Sequence, residues 1–209
     1  IACTIYDKLG LSGKYKVCVN TIGDFESRMN YQRALKEYFS SHIDELCEDC
    51  KKRLEKNPMR ILDCKVDKDS SVLLNAPKIK DYLNSSSVDY FKNLCDTLTK
   101  LGIDYYVDDN LVRGLDYYTD TVFEFIITSE NNGDKPNELK GLAMGGGGKY
   151  ADLVKNFGGP DIPGIGFAFG VERGIELIEY FNLYPTYLLN KVDISLISLD
   201  PESKIYSMD

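Results

Sequence analysis

Arg113 and the pair Tyr117-Tyr118 lie in the run Leu111-Val112-Arg113-Gly114-Leu115-Asp116-Tyr117-Tyr118-Thr119, so one fixed cation, one carboxylate and two phenols fall within six positions. A guanidinium can take a phosphate or carboxylate through two parallel hydrogen bonds. Gly114 lets a ligand approach the backbone, and the tyrosines add hydroxyls and flat apolar faces. That set suits a small polar anion better than a protein surface. Taken alone, it also fits a strand-edge Arg–Asp pair with two half-buried tyrosines. A second stretch of similar character lies further on, Gly145-Gly146-Gly147-Gly148-Lys149-Tyr150 and then Gly158 to Arg173, with further glycines, a third phenol and a second guanidinium.

The elements that must position these residues are read from hydrophobic period. Lys16 to Ile22 alternates as a strand, and Gly23-Asp24 ends it, with Asp24 able to cap the next element. Helix period then runs from Phe25 to Phe39, and after Ser40-Ser41 a second helix continues to about Glu55, where Asn57-Pro58 stops it. A helical turn is expected around Val72-Leu73-Leu74 and another from Pro77, and then a helix from Val88 to Leu101 capped by Gly102. Ile103 to Val107 and Thr121 to Ile127 read as strands. After a polar loop from Ser129 to Glu138, Leu139 to Met144 can return antiparallel beside the second of these. The four glycines are expected to lead into a helix from Lys149 to Phe157. Next come a strand from Gly164 to Phe169 and a helix with Val171, Ile175, Ile178 and Phe181 on one face. Lys191 to Leu199 reads as a buried-type strand.

The composition bounds what such a chain can be. With 209 residues, 43% hydrophobic, it can bury one large core or one core with a substantial insert. No apolar run approaches the roughly 20 residues that span a bilayer, and the start lacks a secretory layout. Ile1 enters on Ile-Ala-Cys-Thr-Ile-Tyr, as if in the middle of an element, so the chain reads as an excerpt of a longer protein. A net charge of −8 repels a phosphate backbone over most of the surface, so any RNA contact must be local. Six cysteines at irregular positions read as reduced thiols in a cytoplasm. Cys47-Glu48-Asp49-Cys50 has zinc-ligand spacing. Against that, Ile43, Leu46, Cys47, Cys50 and Leu54 follow helix period, which puts both sulfurs on the apolar face of one helix. There is no second Cys-x-x-Cys and His42 is the sole histidine, so core cysteines are the preferred reading and no metal site is expected.

Taken together, the two glycine- and tyrosine-bearing stretches resemble the histidine-specific motifs and the third signature motif of histidyl-tRNA synthetases, members of the class II aminoacyl-tRNA synthetases. The resemblance extends to Val19-Asn20-Thr21-Ile22-Gly23, to Asn30-Tyr31-Gln32-Arg33-Ala34-Leu35 and to Glu48-Asp49-Cys50-Lys51-Lys52-Arg53, so it covers nearly the whole chain in order. It implies an α+β fold: part of the class II antiparallel sheet with flanking helices, plus an inserted helical subdomain. Residues 1–23 would be a strand region of the catalytic domain and 24–102 the helical insertion, associated with the tRNA acceptor end. Residues 103–185 would be the catalytic core, and 186–209 a linker with the start of an anticodon-binding domain. The family's first and second motifs, the former building the dimer interface, would precede Ile1, so the segment is expected to be inactive alone.

The activity implied is histidine–tRNA ligation: histidine and ATP, with Mg2+, give histidyl-adenylate, and histidine is then transferred to tRNA(His). Two anions must meet while charge accumulates on phosphoryl oxygens, so such a site needs fixed cations rather than an acid or base. By resemblance Arg113 is the catalytic residue, holding the α-phosphate and the substrate carboxylate, while Arg173 and Gly170 join it at the ATP. Tyr117, Tyr118 and Tyr150 would face the imidazole, with Gly146, Gly147 and Gly148 admitting the amino acid to the backbone. The chain departs from the family at Gly147-Gly148-Lys149-Tyr150-Ala151-Asp152-Leu153, where Gly-Gly-Arg-Tyr-Asp-Gly-Leu is usual; Lys149 keeps the charge but loses the guanidinium fork. The implied partners are tRNA(His), histidine and ATP, with a homodimer for the full-length protein, a cytoplasmic location and no membrane. The alternative is a synthetase-like, histidine-sensing regulatory subunit of ATP phosphoribosyltransferase, which should lack the helical insertion and carry a degraded arginine–tyrosine motif.

Overall fold

Among the described residues there are five strands, β1 (Tyr15–Thr21), β2 (Tyr105–Val107), β3 (Thr119–Ile127), β4 (Ala143–Tyr150) and β5 (Gly164–Phe169), of which the first three are rich in β-branched and aromatic residues. The structure, a computed structural model, describes residues 1–114, 117–130, 138–185, 196–201 and 203. The sheet order is β2-β1-β3-β4-β5, with β2 parallel to β1 and every other pair antiparallel. Helices α1 (Ala2–Lys8), α2 (Phe25–Ser41), α3 (Glu48–Lys56), α4 (Ser71–Leu74), α5 (Ser85–Lys100), α6 (Leu153–Asn156) and α7 (Val171–Tyr180) complete the fold. This is the mixed α+β architecture, largely antiparallel with flanking helices, that the resemblance implies.

Strand alternation divides the core in two. Val17 and Val19 of β1 pair with Phe125 and Phe123 of β3, and on that face Tyr6 of α1, Leu177 of α7 and Phe91 and Leu98 of α5 pack with them. On the other face Cys18 and Val122 join a larger cluster built mainly between β1 and Tyr82. There Tyr31, Leu35 and Phe39 recur every four residues on α2 and are fully buried. Burying such side chains stabilises by about 1.5–3 kcal/mol each, so one face of α2 anchors the helical region to the sheet. Asp24 starts α2 as expected: its carboxylate accepts from the Ser27 amide at 2.9 Å and from the Asn84 side-chain amide at 2.7 Å, and Asn84 caps α5. Gly102 follows α5 with φ +66°, the left-handed ending anticipated for it.

Four expectations need correction. The glycines at 145–148 do not lead into a helix. They form the middle of β4, between β3 and β5, and the helix expected from Lys149 is the single turn α6. Backbone crowding explains this, because a Cβ on Gly145 would lie 2.5 Å from the Ala168 carbonyl oxygen and one on Gly148 at the same distance from that of Thr121. The antiparallel return beside β3 is present but begins at Ala143 rather than Leu139. The second long helix is divided into a 3-10 turn, Ile43–Glu45, an extended Leu46-Cys47, and α3, so Cys47 precedes the helix instead of sharing its apolar face with Cys50. On α7 the fully buried residue is Leu177, while Val171 and Ile175 are exposed. Leu115 and Asp116, most of the 129–138 loop and residues 191–195 of the expected strand lie outside the described residues, and 196–199 carry no strand.

Candidate functional site

The Arg113 segment crosses the face of the sheet that carries the helical region, and that region and β1 hold it at both ends. Asn20 of β1 donates from its side chain to the Leu111 carbonyl at 3.0 Å, and Arg28 of α2 donates to the Tyr118 carbonyl at 2.6 Å. Between these anchors the Arg113 guanidinium pairs with Glu124 of β3 and stands 5.9 Å from the centre of the Tyr118 ring. Glu124 is directly opposite Gly146 in the β3–β4 register. A Cβ on Gly146 would come within 3.0 Å of both the Arg113 Nη1 and the Glu124 Cγ. The missing side chain therefore gives the ion pair its room on an otherwise packed sheet.

Gly148 plays the same part for Tyr118, since a Cβ there would lie 2.7 Å from the ring. The rings of Tyr117 and Tyr118 are 4.6 Å apart, and Tyr150 meets Tyr117 edge-on at 5.8 Å. Gly164 and Gly166 of β5 clear the space that the Tyr150 ring occupies. Three phenols and a guanidinium thus line one patch of the sheet, which can stack an aromatic ring, exchange hydrogen bonds with it and hold an anion beside it. Gly147 alternates to the opposite face, where a Cβ would run into the Gly166 backbone.

Several charged groups meet at this patch. Burial raises the Glu124 carboxyl above the ordinary range, and the Arg113 guanidinium opposes that without cancelling it. Arg173 also acts on Glu124; it lies in the first turn of α7 and donates to the Ala143 carbonyl at the start of β4. Gly170 precedes α7 and donates its amide to the Met144 carbonyl at 2.7 Å, turning the chain so that the helix begins beside β4. Lys149 is held by Asp120 at 2.7 Å and lies 4.7 Å from the centre of the Tyr90 ring. Asp120 has φ +51° and sits at the irregularity in the β3–β4 ladder. A non-glycine residue in that region carries backbone strain, here at the edge of the tyrosine patch.

Sequence reasoning missed Glu124, Asp120, Asn20 and Arg28. Glu124 was findable: it is the lone charge within Val122-Phe123-Glu124-Phe125-Ile126, a carboxylate set in a strand that otherwise buries apolar groups. Also missed was a cleft beside Gly114 lined by Asp49, Lys52, Arg53, Lys56, Asn57 and Arg60. Its four cations against one carboxylate reverse the sign of the chain's net charge locally.

Known proteins resemble this chain in both sequence and fold. The family described as Histidyl-tRNA synthetase matches residues 8–173. A histidine–tRNA ligase of Listeria innocua is 43% identical over 207 residues, 98% of this chain and 46% of the relative. That of Bacillus subtilis is 41% identical over 208 residues, 100% of this chain and 47% of the relative. The chain spans about half the length of the curated relatives it matches. Among solved structures, apo histidyl-tRNA synthetase of S. aureus superposes with a TM-score of 0.67 at 34% identity, covering 99% of this chain and 48% of that one. An ATP phosphoribosyltransferase regulatory subunit/histidyl-tRNA synthetase of Bacillus halodurans, at 21% identity and a TM-score of 0.50, shares the fold alone. With the family match running from the end of α1 into α7, through every strand and the whole tyrosine–glycine patch, the chain belongs to the histidyl-tRNA synthetase family.

Proposed function

We propose that the whole protein, of which this chain is comparable to about half of its relatives' length, is a histidine–tRNA ligase and that the patch around Arg113 is its amino-acid activation site. The observation that carries the reading is the convergence of Arg113, Tyr117, Tyr118 and Tyr150 on one face of the sheet, with Gly146 and Gly148 clearing their space. A histidine side chain would lie against the tyrosine rings, its nitrogens within reach of their hydroxyls, and its carboxylate would turn toward Arg113.

An oxygen of that carboxylate attacks the α-phosphorus of ATP, the bond from the α-phosphorus to the bridging oxygen breaks, and pyrophosphate leaves with that oxygen. Arg113 stabilises the charge that builds on the α-phosphoryl oxygens, and Arg173 at the start of α7 meets the phosphates from the other side of β4. The carboxylates nearest the patch, Glu124 and Asp120, are already paired with Arg113 and Lys149. This donor set suits Mg2+ arriving with the nucleotide and its waters better than a metal caged by protein alone. The adenylate then passes histidine to the terminal adenosine of tRNA(His). The cleft of Lys52, Arg53, Lys56 and Arg60 beside Gly114 offers the local positive surface that an acceptor end needs on so acidic a chain. The cytoplasm and a homodimeric whole protein belong to the same reading.

Replacing Arg113 by Ala in the whole protein tests the assignment. Single preorganised charge donors are worth about 10²–10³ in turnover. Adenylation turnover should fall by that order while histidine affinity changes by only a few-fold. A dominant loss of histidine binding with turnover intact would assign Arg113 to the ground state instead. Residues 1–209 alone should give little or no adenylate, and robust activity from them would contradict the assignment of activity to the whole protein.

A further inference from the structure

Away from the activation patch, Cys47, Cys50, Cys64 and Asp67 bring three sulfurs and one carboxylate oxygen within 4.8 Å of one another. Three of the four residues are buried, Asp67 being 8% exposed. The two halves arrive as Cys47-x-x-Cys50 at the start of α3 and Cys64-x-x-Asp67 in the loop after the Pro58–Ile61 turn. The Cys47 and Cys64 sulfurs are 3.7 Å apart. In a tetrahedral zinc site with Zn–S bonds of about 2.3 Å, neighbouring sulfurs lie about 3.8 Å apart, so the observed spacing is the edge of such a tetrahedron.

The surroundings also ask for a cation. Among the described residues no lysine, arginine or histidine pairs with the buried Asp67 carboxylate, and a buried carboxylate without a counter-charge is costly. Its contacts are the Cys47 amide, at 3.1 Å, and the side chains of Cys50, Cys47 and Cys64, and its own amide donates to the Cys64 sulfur at 3.4 Å. That N–H···S bond lowers the charge on a coordinating sulfur and fixes its direction. Cys47 is the residue before α3 and Cys50 lies in its first turn, so both sulfurs stand at the start of that helix.

We propose that Cys47, Cys50, Cys64 and Asp67 bind one Zn2+ as a closed structural site. Binding would release the three thiol protons to solvent and leave three thiolates and one carboxylate on the ion. The site ties the start of α3 to the 62–70 loop. Since Lys52, Arg53 and Lys56 lie on α3 and Arg60 on the following turn, it would fix the wall of the basic cleft.

The test begins with the full chain purified without chelator. Metal is measured by mass spectrometry, thiols are counted after denaturation, and the chelated protein is refilled with Co2+. The proposal expects about one zinc per chain, all six cysteines as thiols, and a cobalt spectrum with thiolate charge-transfer and tetrahedral ligand-field bands. Cys64→Ser should lose the metal and the spectrum, whereas Cys95→Ser, outside the cluster, should keep both. If Cys64→Ser does not fold, Asp67→Cys serves, keeping the stoichiometry and shifting the cobalt bands toward an all-thiolate ion. Trace metal with an octahedral cobalt spectrum would overturn the proposal and leave four packed core residues. A Cys47–Cys64 disulfide found in the isolated chain would overturn it as well.

Discussion

At the scale of single residues, the glycines of β4 separate space from flexibility. A Cβ on Gly147 would run into the Gly166 backbone, whereas one on Gly174, within α7, would meet nothing within 4 Å. Gly147→Ala should therefore cost about 1–3 kcal/mol or more, since a backbone neighbour cannot rotate away. Gly174→Ala should stabilise by about 0.5–1 kcal/mol through helix propensity. Urea unfolding of the two variants checks the contrast, and equal effects would mean that β4 is not packed as described. Arg113, Tyr118 and Tyr150 were singled out through the resemblance of their motifs to the family's, and the fold brings them to one patch. Glu124 and Asp67 were less legible in the sequence, because a carboxylate acquires its meaning only from what the fold places beside it. Cys64-x-x-Asp67 does not read as a second Cys-x-x-Cys, because its last donor is an oxygen.

At the scale of elements, the β1–α2 junction is the joint that sets the helical region on the sheet. The hydrogen bond from the Ser27 amide holds the Asp24 carboxyl below its ordinary value. Its contribution to stability is therefore present above the unfolded pKa of 3.8 and is lost as pH falls through the lower folded value. Asp24→Ala should cost about 0.5–2 kcal/mol at neutral pH, typical of a lost N-cap, and the gap from wild type should shrink on acidification. Urea midpoints across that range report it; a gap that stays constant would show that the neutral acid caps as well as the carboxylate. Period and caps made β1, α2, α5 and β5 readable. The four glycines misled because a glycine run ordinarily marks a turn, and only the approach of β3 and β5 on either side makes a strand of it. Since Phe91 and Leu98 of α5 pack with the sheet's other face, we propose that the inserted region ends before Ser85 and that α5 is the crossover from β1 to β2.

For the molecule as a whole, both cores bury tyrosines, and that gives stability an alkaline limit. Burial pushes the Tyr6 hydroxyl up to about 12, and Tyr15 and Tyr31 are raised in the same direction for the same reason. The folded state holds these protons more tightly than the unfolded chain. Their contribution is thus fully present below the unfolded value of 10.0 and declines as pH rises through 12. Urea midpoints on either side of that window should fall steeply with pH, and a flat profile would mean that the phenols reach solvent. No helix among the described residues is long and apolar enough to cross a membrane. The measurement that bears most directly on the activation site is amino-acid-dependent exchange of pyrophosphate into ATP by the whole protein, with Arg113→Ala beside it. The account predicts exchange with histidine, none with other amino acids, and its loss in the variant. Histidine binding without exchange would contradict it and point to a histidine-sensing regulatory protein on the same fold.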